Sequence, residues 1–349
     1  MKVPLDRKGP RGFPPPLKGG LRLETLESRV LRGNPLGDPT ERKVAVYTPP
    51  SGVTEGKPLL LWLPGFAGAG WMTFRAPGFL QEGVHERFER LVKSGDCGEA
   101  VIVSPDCLTS LGGSQYVNST ATGAYQDHVL QEVLPWARER FRTGRTGVLG
   151  QSSGGFGALH LAFEHPELFD AVGSSAGDMG FEYSFLPDFP KCVRVFRRYG
   201  GPEGFLAKLF EDPQQTMPSI MDPAGAALST IAMAACYSPT PGDPGSFELP
   251  FDPEDGRLRP EVWERWLAFD PVRRVRTEAG ASALKRMRLV HVTASSSDEW
   301  ASDATARWFV SEARARGVRA VHDEFEGGHF LAGPRYEAML TKMVRALTE

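Results

Sequence analysis

The stretch TGVLGQSSGGFGALHLAFEHPELFDAV, residues 146–172, holds in order a short apolar run, a turn of small residues and an apolar pattern at helical spacing. Within it Gly150-Gln151-Ser152-Ser153-Gly154 fits G-x-S-x-G. That pattern needs a strand running in, a tight turn that lifts the serine hydroxyl above a sheet, small residues that let strand and helix approach, and a helix running out. Val148-Leu149 supply the strand, glycines stand at 150, 154, 155 and 157, and Phe156 to Ala162 carry the helical spacing. The pattern recurs at Gly173-Ser174-Ser175-Ala176-Gly177, but there it runs into Asp178-Met179-Gly180-Phe181 and a proline-rich segment. No helix follows to aim Ser175, so context selects Ser152 as the nucleophile and leaves Ser175 as a pocket residue at a strand's carboxyl end.

Outward from this turn, short apolar runs alternate with amphipathic stretches. Strands are expected at 59–64, 100–105, 146–150, 170–175, 288–294 and 318–325, and helices at 79–93, 125–141, 154–164, 303–316 and 334–347. Alternation of this kind builds an α/β fold, a mostly parallel sheet with helices on both faces. Two further stretches in 21–48 flank GNPLGDPT, whose residues punctuate a chain as turns do, and add an antiparallel pair. About eight strands are expected in all, in one domain over 21–349. Residues 1–20, with five prolines and five Lys/Arg against one Asp, are expected to form a mobile arm. Residues 179–261 contain 12 of the chain's 29 prolines and read as a lid-like insertion after strand 6, with long regular elements not expected.

Composition narrows the class. With 349 residues and 41% hydrophobic content the chain has material for one large domain. Forty Lys+Arg against 43 Asp+Glu give a formal charge of -3, which excludes the broad positive field of a nucleic-acid partner. No apolar run reaches the roughly 18 to 20 residues of a membrane helix, and the first residues lack the apolar core of about 7 that a signal peptide needs. The expectation is a soluble, cytoplasmic chain without a membrane partner. Four dispersed cysteines, Cys97, Cys107, Cys192 and Cys236, suggest neither a disulfide scaffold nor a zinc site, and no metal or cofactor motif appears.

A serine hydroxyl needs a general base, nearly always an imidazole. Of seven histidines, His85, His128, His160, His165, His291 and His322 fall within or at the ends of expected helices and strands. His329 instead follows the last strand across Glu326-Gly327-Gly328, a flexible loop at a carboxyl end. The carboxylate that orients this base has three candidates: Asp298, after the strand RLVHVTA; Asp178, after the preceding strand; and Asp303, which reads better as a first-turn residue of a helix. Backbone amides of Ser153 and of Phe66, in the glycine-rich run Leu63 to Gly70, are placed to hold an oxyanion. That run lacks the Lys-Ser/Thr ending of a phosphate loop. Trp71, Tyr116 and Trp300 are candidate pocket walls.

Four segments together resemble the putative esterase family of α/β-hydrolases, which includes esterase D, feruloyl esterases, enterochelin esterases and mycolyl transferases. They are GVLGQSSGGFGALHLAFEHPELFDAV, LWLPGFAGAGW (61–71), LTSLGGSQYVNSTATGAYQDHV (108–129), and the ending SSSDEW (295–300) with EFEGGHF (324–330). The resemblance implies the α/β-hydrolase fold and a serine hydrolase of small-molecule carboxylic or thio-esters. It also implies Ser152 as nucleophile, Asp298 as acid, His329 as base, and Phe66 and Ser153 as oxyanion amides. Many relatives carry His-Gly where this chain has Pro64-Gly65. Acyl transfer and prolyl-peptidase-like cleavage are the alternative activities, and a non-catalytic binding module on the same scaffold is the alternative of another class.

Overall fold

A computed structural model describes residues 1–2, 20–75, 82–330 and 333–349. Eight strands form the main sheet: β1 (Leu21–Glu27), β2 (Glu41–Tyr47), β3 (Leu59–Leu63), β4 (Val101–Pro105), β5 (Thr146–Gln151), β6 (Ala171–Ser175), β7 (Leu289–Ser295) and β8 (Ala320–Phe325). Their spatial order is β1-β2-β4-β3-β5-β6-β7-β8. The β1–β2 and β2–β4 pairs are antiparallel, and every later pair is parallel.

The two-residue period of a strand explains why these runs are apolar throughout. In β3, Leu59, Leu61 and Leu63 pack into one core, while Leu60 and Trp62 pack into another on the opposite face. β4 repeats the split with Val101 and Val103 against Ile102, and β5 with Val148 against Leu149. The first face is covered by the helices Leu134–Phe141, Ser153–Glu164 and Ser302–Ala315, and the second by Val84–Ser94 and Gly333–Thr348. Each fully buried leucine of such a strand contributes about 1.5–3 kcal/mol.

The insertion departs from expectation. It contains regular helices at Phe189–Arg198, Pro202–Glu211 and Pro223–Tyr237, the last of 15 residues, and Pro260–Leu267 begins at its end. Proline density misled because Pro190, Pro202, Pro223 and Pro260 stand in first turns, where the missing N–H has no partner to lose and the fixed φ suits the helix. These helices and the segments between them bury an aromatic core, Phe181, Phe189, Phe196, Phe251 and Trp266, which meets Phe156 of the helix after β5 through Phe181. The expectation of a mobile arm falls, for residues 3–19, outside the described residues. Met1 donates from its amino group to the Phe247 carbonyl at 2.9 Å, and Lys2 pairs with Asp243 at 2.9 Å.

Candidate active site

β5 delivers Ser152 to the carboxyl end of the sheet, and the next residue opens the helix Ser153–Glu164. So sharp a reversal puts Ser152 at φ 55°, ψ −125°, a region costly for a side-chain-bearing residue. Two backbone bonds hold it: Ser152 N–H donates to the Ser175 carbonyl at 2.9 Å, and the Phe156 N–H to the Ser152 carbonyl at 2.9 Å. Glycine at 154 is required by space. A Cβ there would lie 1.9 Å from the Leu63 carbonyl oxygen, a backbone atom with nowhere to go. Gly154→Ala is therefore expected to cost more than about 3 kcal/mol and to show as a lowered Tm.

The loops after β7 and β8 bring the other two members together. His329 Nδ1 and Asp298 Oδ2 are 2.8 Å apart, with the two side chains 5% and 0% exposed, so this hydrogen bond is shielded from water. Burial pushes the Asp298 carboxyl up, but the bond to and charge of His329, with the Trp300 N–H at 2.9 Å, outweigh it and hold the group below its ordinary value. The competing acids are otherwise engaged. Asp303 pairs with Arg307 at 2.5 Å, and Asp178 accepts from Gln115 Nε2 at 3.4 Å. The other histidines have structural surroundings. His128 meets Glu132 at 2.8 Å, His291 meets Asp323 at 2.7 Å, and His160 bonds Gln126, its pKa driven down to about 3 by burial and Arg274.

Ser152 and His329 line one cavity of about 1420 Å³, together with Gly65, Phe66, Ser153 and Trp300. Occupying Nδ1 with Asp298 leaves Nε2 for the cavity. Among the described residues the Phe66 N–H donates to no other backbone group, and Ser153 is the first residue of its helix, where N–H groups lack intrahelical partners. Phe66 and Ser153 line the same cavity as Ser152, and the Ser153 N–H lies at the positive end of a helix dipole. The proposed pocket walls divide. Trp300 lines the cavity, its ring centroid 4.7 Å from that of His329. Trp71 packs instead into the core under β3, and Ser175 is fully buried, contributing its carbonyl rather than its side chain. Tyr116 is a support: its hydroxyl donates to the Pro64 carbonyl at 2.6 Å and so ties down the loop that presents Phe66.

A model of the family described as "Putative esterase" matches residues 38–347. The chain belongs to this family of serine esterases. Its α/β-hydrolase fold is shared with a ferulic acid esterase, at TM-score 0.55 and 16% identity, covering 94% of this chain and 98% of that one. An S-formylglutathione hydrolase from Agrobacterium tumefaciens aligns at TM-score 0.55 and 14% identity, covering 94% and 95%. A ferulic acid esterase from Anaeromyces mucronatus, solved with ferulic acid, aligns at 0.52 and 13%, covering 98% and 95%. No curated protein matches the chain. None of its described helices is long and apolar enough to cross a membrane.

The esterase also holds its candidate base by contacts that no motif announces. Glu299 accepts from the His329 N–H at 2.8 Å, while Gln151 Nε2 donates to the His329 carbonyl at 3.1 Å, as does the buried Arg335 guanidinium. Tyr336 in turn donates to the Gln151 side chain. Gln151 precedes Ser152 and Glu299 follows Asp298, so each joins one member of the candidate triad to the backbone of another. Position next to an assigned residue was the one signal in the sequence that pointed to them.

Proposed function

We propose that Ser152, His329 and Asp298 hydrolyse a carboxylic ester through an acyl-enzyme. His329 Nε2 takes the proton of the Ser152 hydroxyl as its oxygen attacks the ester carbonyl, and the Phe66 and Ser153 amides receive the oxyanion. The tetrahedral species collapses, the imidazolium returns its proton to the leaving alcohol, and Ser152 is left acylated. Water then attacks with the same base, releasing the acid and the free serine. The observation that carries this reading is the dry 2.8 Å bond between His329 Nδ1 and Asp298, facing the cavity that contains a serine on a strained strand-to-helix turn.

The cavity is large beside the roughly 300–1,000 Å³ of ordinary small-molecule pockets, which favours an ester with a bulky acyl or alcohol part. Phe185, Ile220, Met221 and Met233 of the insertion form part of its apolar lining, which supports a role for residues 179–261 in selecting substrate. Burial pushes the Cys97 and Cys192 thiols up to about 12, so neither offers a rival thiolate. Four free, buried cysteines also suit the cytoplasmic location read from the sequence. Turnover of p-nitrophenyl esters from acetate to long acyl chains, with fluorophosphonate labelling located by peptide mapping, tests the proposal. Hydrolysis with the label on Ser152 is expected. No hydrolysis and no label would overturn it.

A further inference from the structure

Of the carboxyls that line the cavity without a part in the mechanism above, Asp178 is the nearest in the chain to the bond that holds the nucleophile. Asp178 stands three residues past Ser175, whose carbonyl holds the nucleophile's N–H, and it lines the cavity with Ser152 and Ser153. Its side chain is half-buried, and the cavity is the space it opens to. Asp298 has taken the Nδ1 of His329, so the nearest polar neighbours left to Asp178 are Gln115, whose Nε2 donates to it at a long 3.4 Å, and the Ser153 hydroxyl beside it.

What surrounds it is built rather than accidental. Gln115 is 2% exposed and also donates from Nε2 to the Tyr237 hydroxyl at 3.1 Å, while its own Oε1 is buried without a partner among the described residues. Gln115 and Tyr116 stand at φ 50° and 56°, two consecutive residues in the left-handed region, so backbone strain is spent on presenting this amide. Withdrawal from water raises the Asp178 carboxyl to about 6, although the His329 ring and the Gln115 amide draw it down. A carboxylate beside the site where an oxyanion forms opposes the reaction unless its charge is met by a donor. The protein supplies the long bond from Gln115 and the Ser153 hydroxyl and, among the described residues, no cation in contact with it.

We propose that Asp178, backed by Gln115, is a recognition carboxyl for esters that carry a hydrogen-bond-donating substituent, a hydroxyl or an ammonium, close to the scissile carbonyl. This rests on the ester-hydrolase reading. A donor on the substrate completes the acceptor set of Asp178 and offsets (ammonium) or screens (hydroxyl) a charge unfavourable to the oxyanion, so discrimination acts in the transition state as well as in binding. A plain ester leaves the carboxyl unmet, and sites built to hydrogen-bond a group discriminate strongly against analogues that lack it.

The test compares kcat/KM for p-nitrophenyl butyrate, 3-hydroxybutyrate and 4-aminobutyrate, and on the alcohol side for ethyl, 2-hydroxyethyl and 2-aminoethyl butyrate, on the wild type, Asp178→Asn and Asp178→Ala. In one of the two series the wild type is expected to favour a donor-bearing ester by roughly 10-fold or more. Both variants should bring that ratio toward one. The hydroxyl and ammonium arms tell which donor the carboxyl takes, since the neutral asparagine harms the ammonium ester more. Ratios near one in both wild-type series, or ratios untouched by either substitution, overturn the proposal. So does an equal collapse on plain and substituted esters, which would place Asp178 with the base. Plain-ester turnover that depends on Ser152 reports the esterase reading separately, so loss of selectivity alone sinks only the subsite.

Discussion

Ser152→Ala is expected to lower kcat/KM for p-nitrophenyl butyrate by about 10⁴-fold or more and to leave the fold intact. The magnitude follows from what is removed. Without Oγ there is no acyl-enzyme, and only the oxyanion amides and the binding cavity remain to assist water. The fold should survive because the serine is held through its backbone, by the bonds to Ser175 and Phe156, and alanine keeps both. The strained φ is borne equally by either residue. Circular dichroism and Tm together with steady-state turnover measure the two halves of this expectation. Turnover persisting in a folded variant would mean another nucleophile. Ser175 could not supply it without rearrangement, since it is fully buried in β6.

Much of the architecture was legible because it rests on local rules. Alternating apolar runs and amphipathic stretches gave the sheet and its covering helices, and the small residues around Ser152 gave the turn, since a Cβ at 150 or 154 meets backbone atoms within 2.5 Å. The helices of the insertion were hidden by their prolines. A proline is a breaker inside a helix and a starter at its first turn, and which applies depends on where the helix begins. Tyr116 shows a second limit. An aromatic near the site reads as a pocket wall, yet its hydroxyl is committed to Pro64, a contact between segments 52 residues apart. The link from Gln151 to His329 is longer-range still, and it and those from Glu299 and Arg335 end on backbone atoms that carry no side-chain signature.

The choice among three carboxylates was the least settled point of the sequence, and the geometry turns it into a prediction. Asp298→Asn is expected to lower kcat/KM for the plain ester by about 10³- to 10⁴-fold, and Asp178→Asn far less. The argument turns on a proton. Asp298 as a carboxylate can only accept, so it keeps the hydrogen of His329 on Nδ1 and leaves Nε2 with the lone pair that must take the Ser152 proton. Asparagine is close in size, and its amide oxygen can still accept from the Trp300 N–H at the position of Oδ1. Its NH₂, placed where Oδ2 stood, donates to Nδ1 and drives the ring to the other tautomer, with hydrogen on Nε2 and no base facing the serine. The negative charge that would stabilise the imidazolium is lost in the same step. Nothing comparable follows at Asp178, which meets Gln115 rather than the ring nitrogen. Should Asp178→Asn prove the more damaging of the two in folded protein, Asp178 is the acid that holds the base during turnover, and the pairing of Asp298 with His329 belongs to the resting arrangement alone.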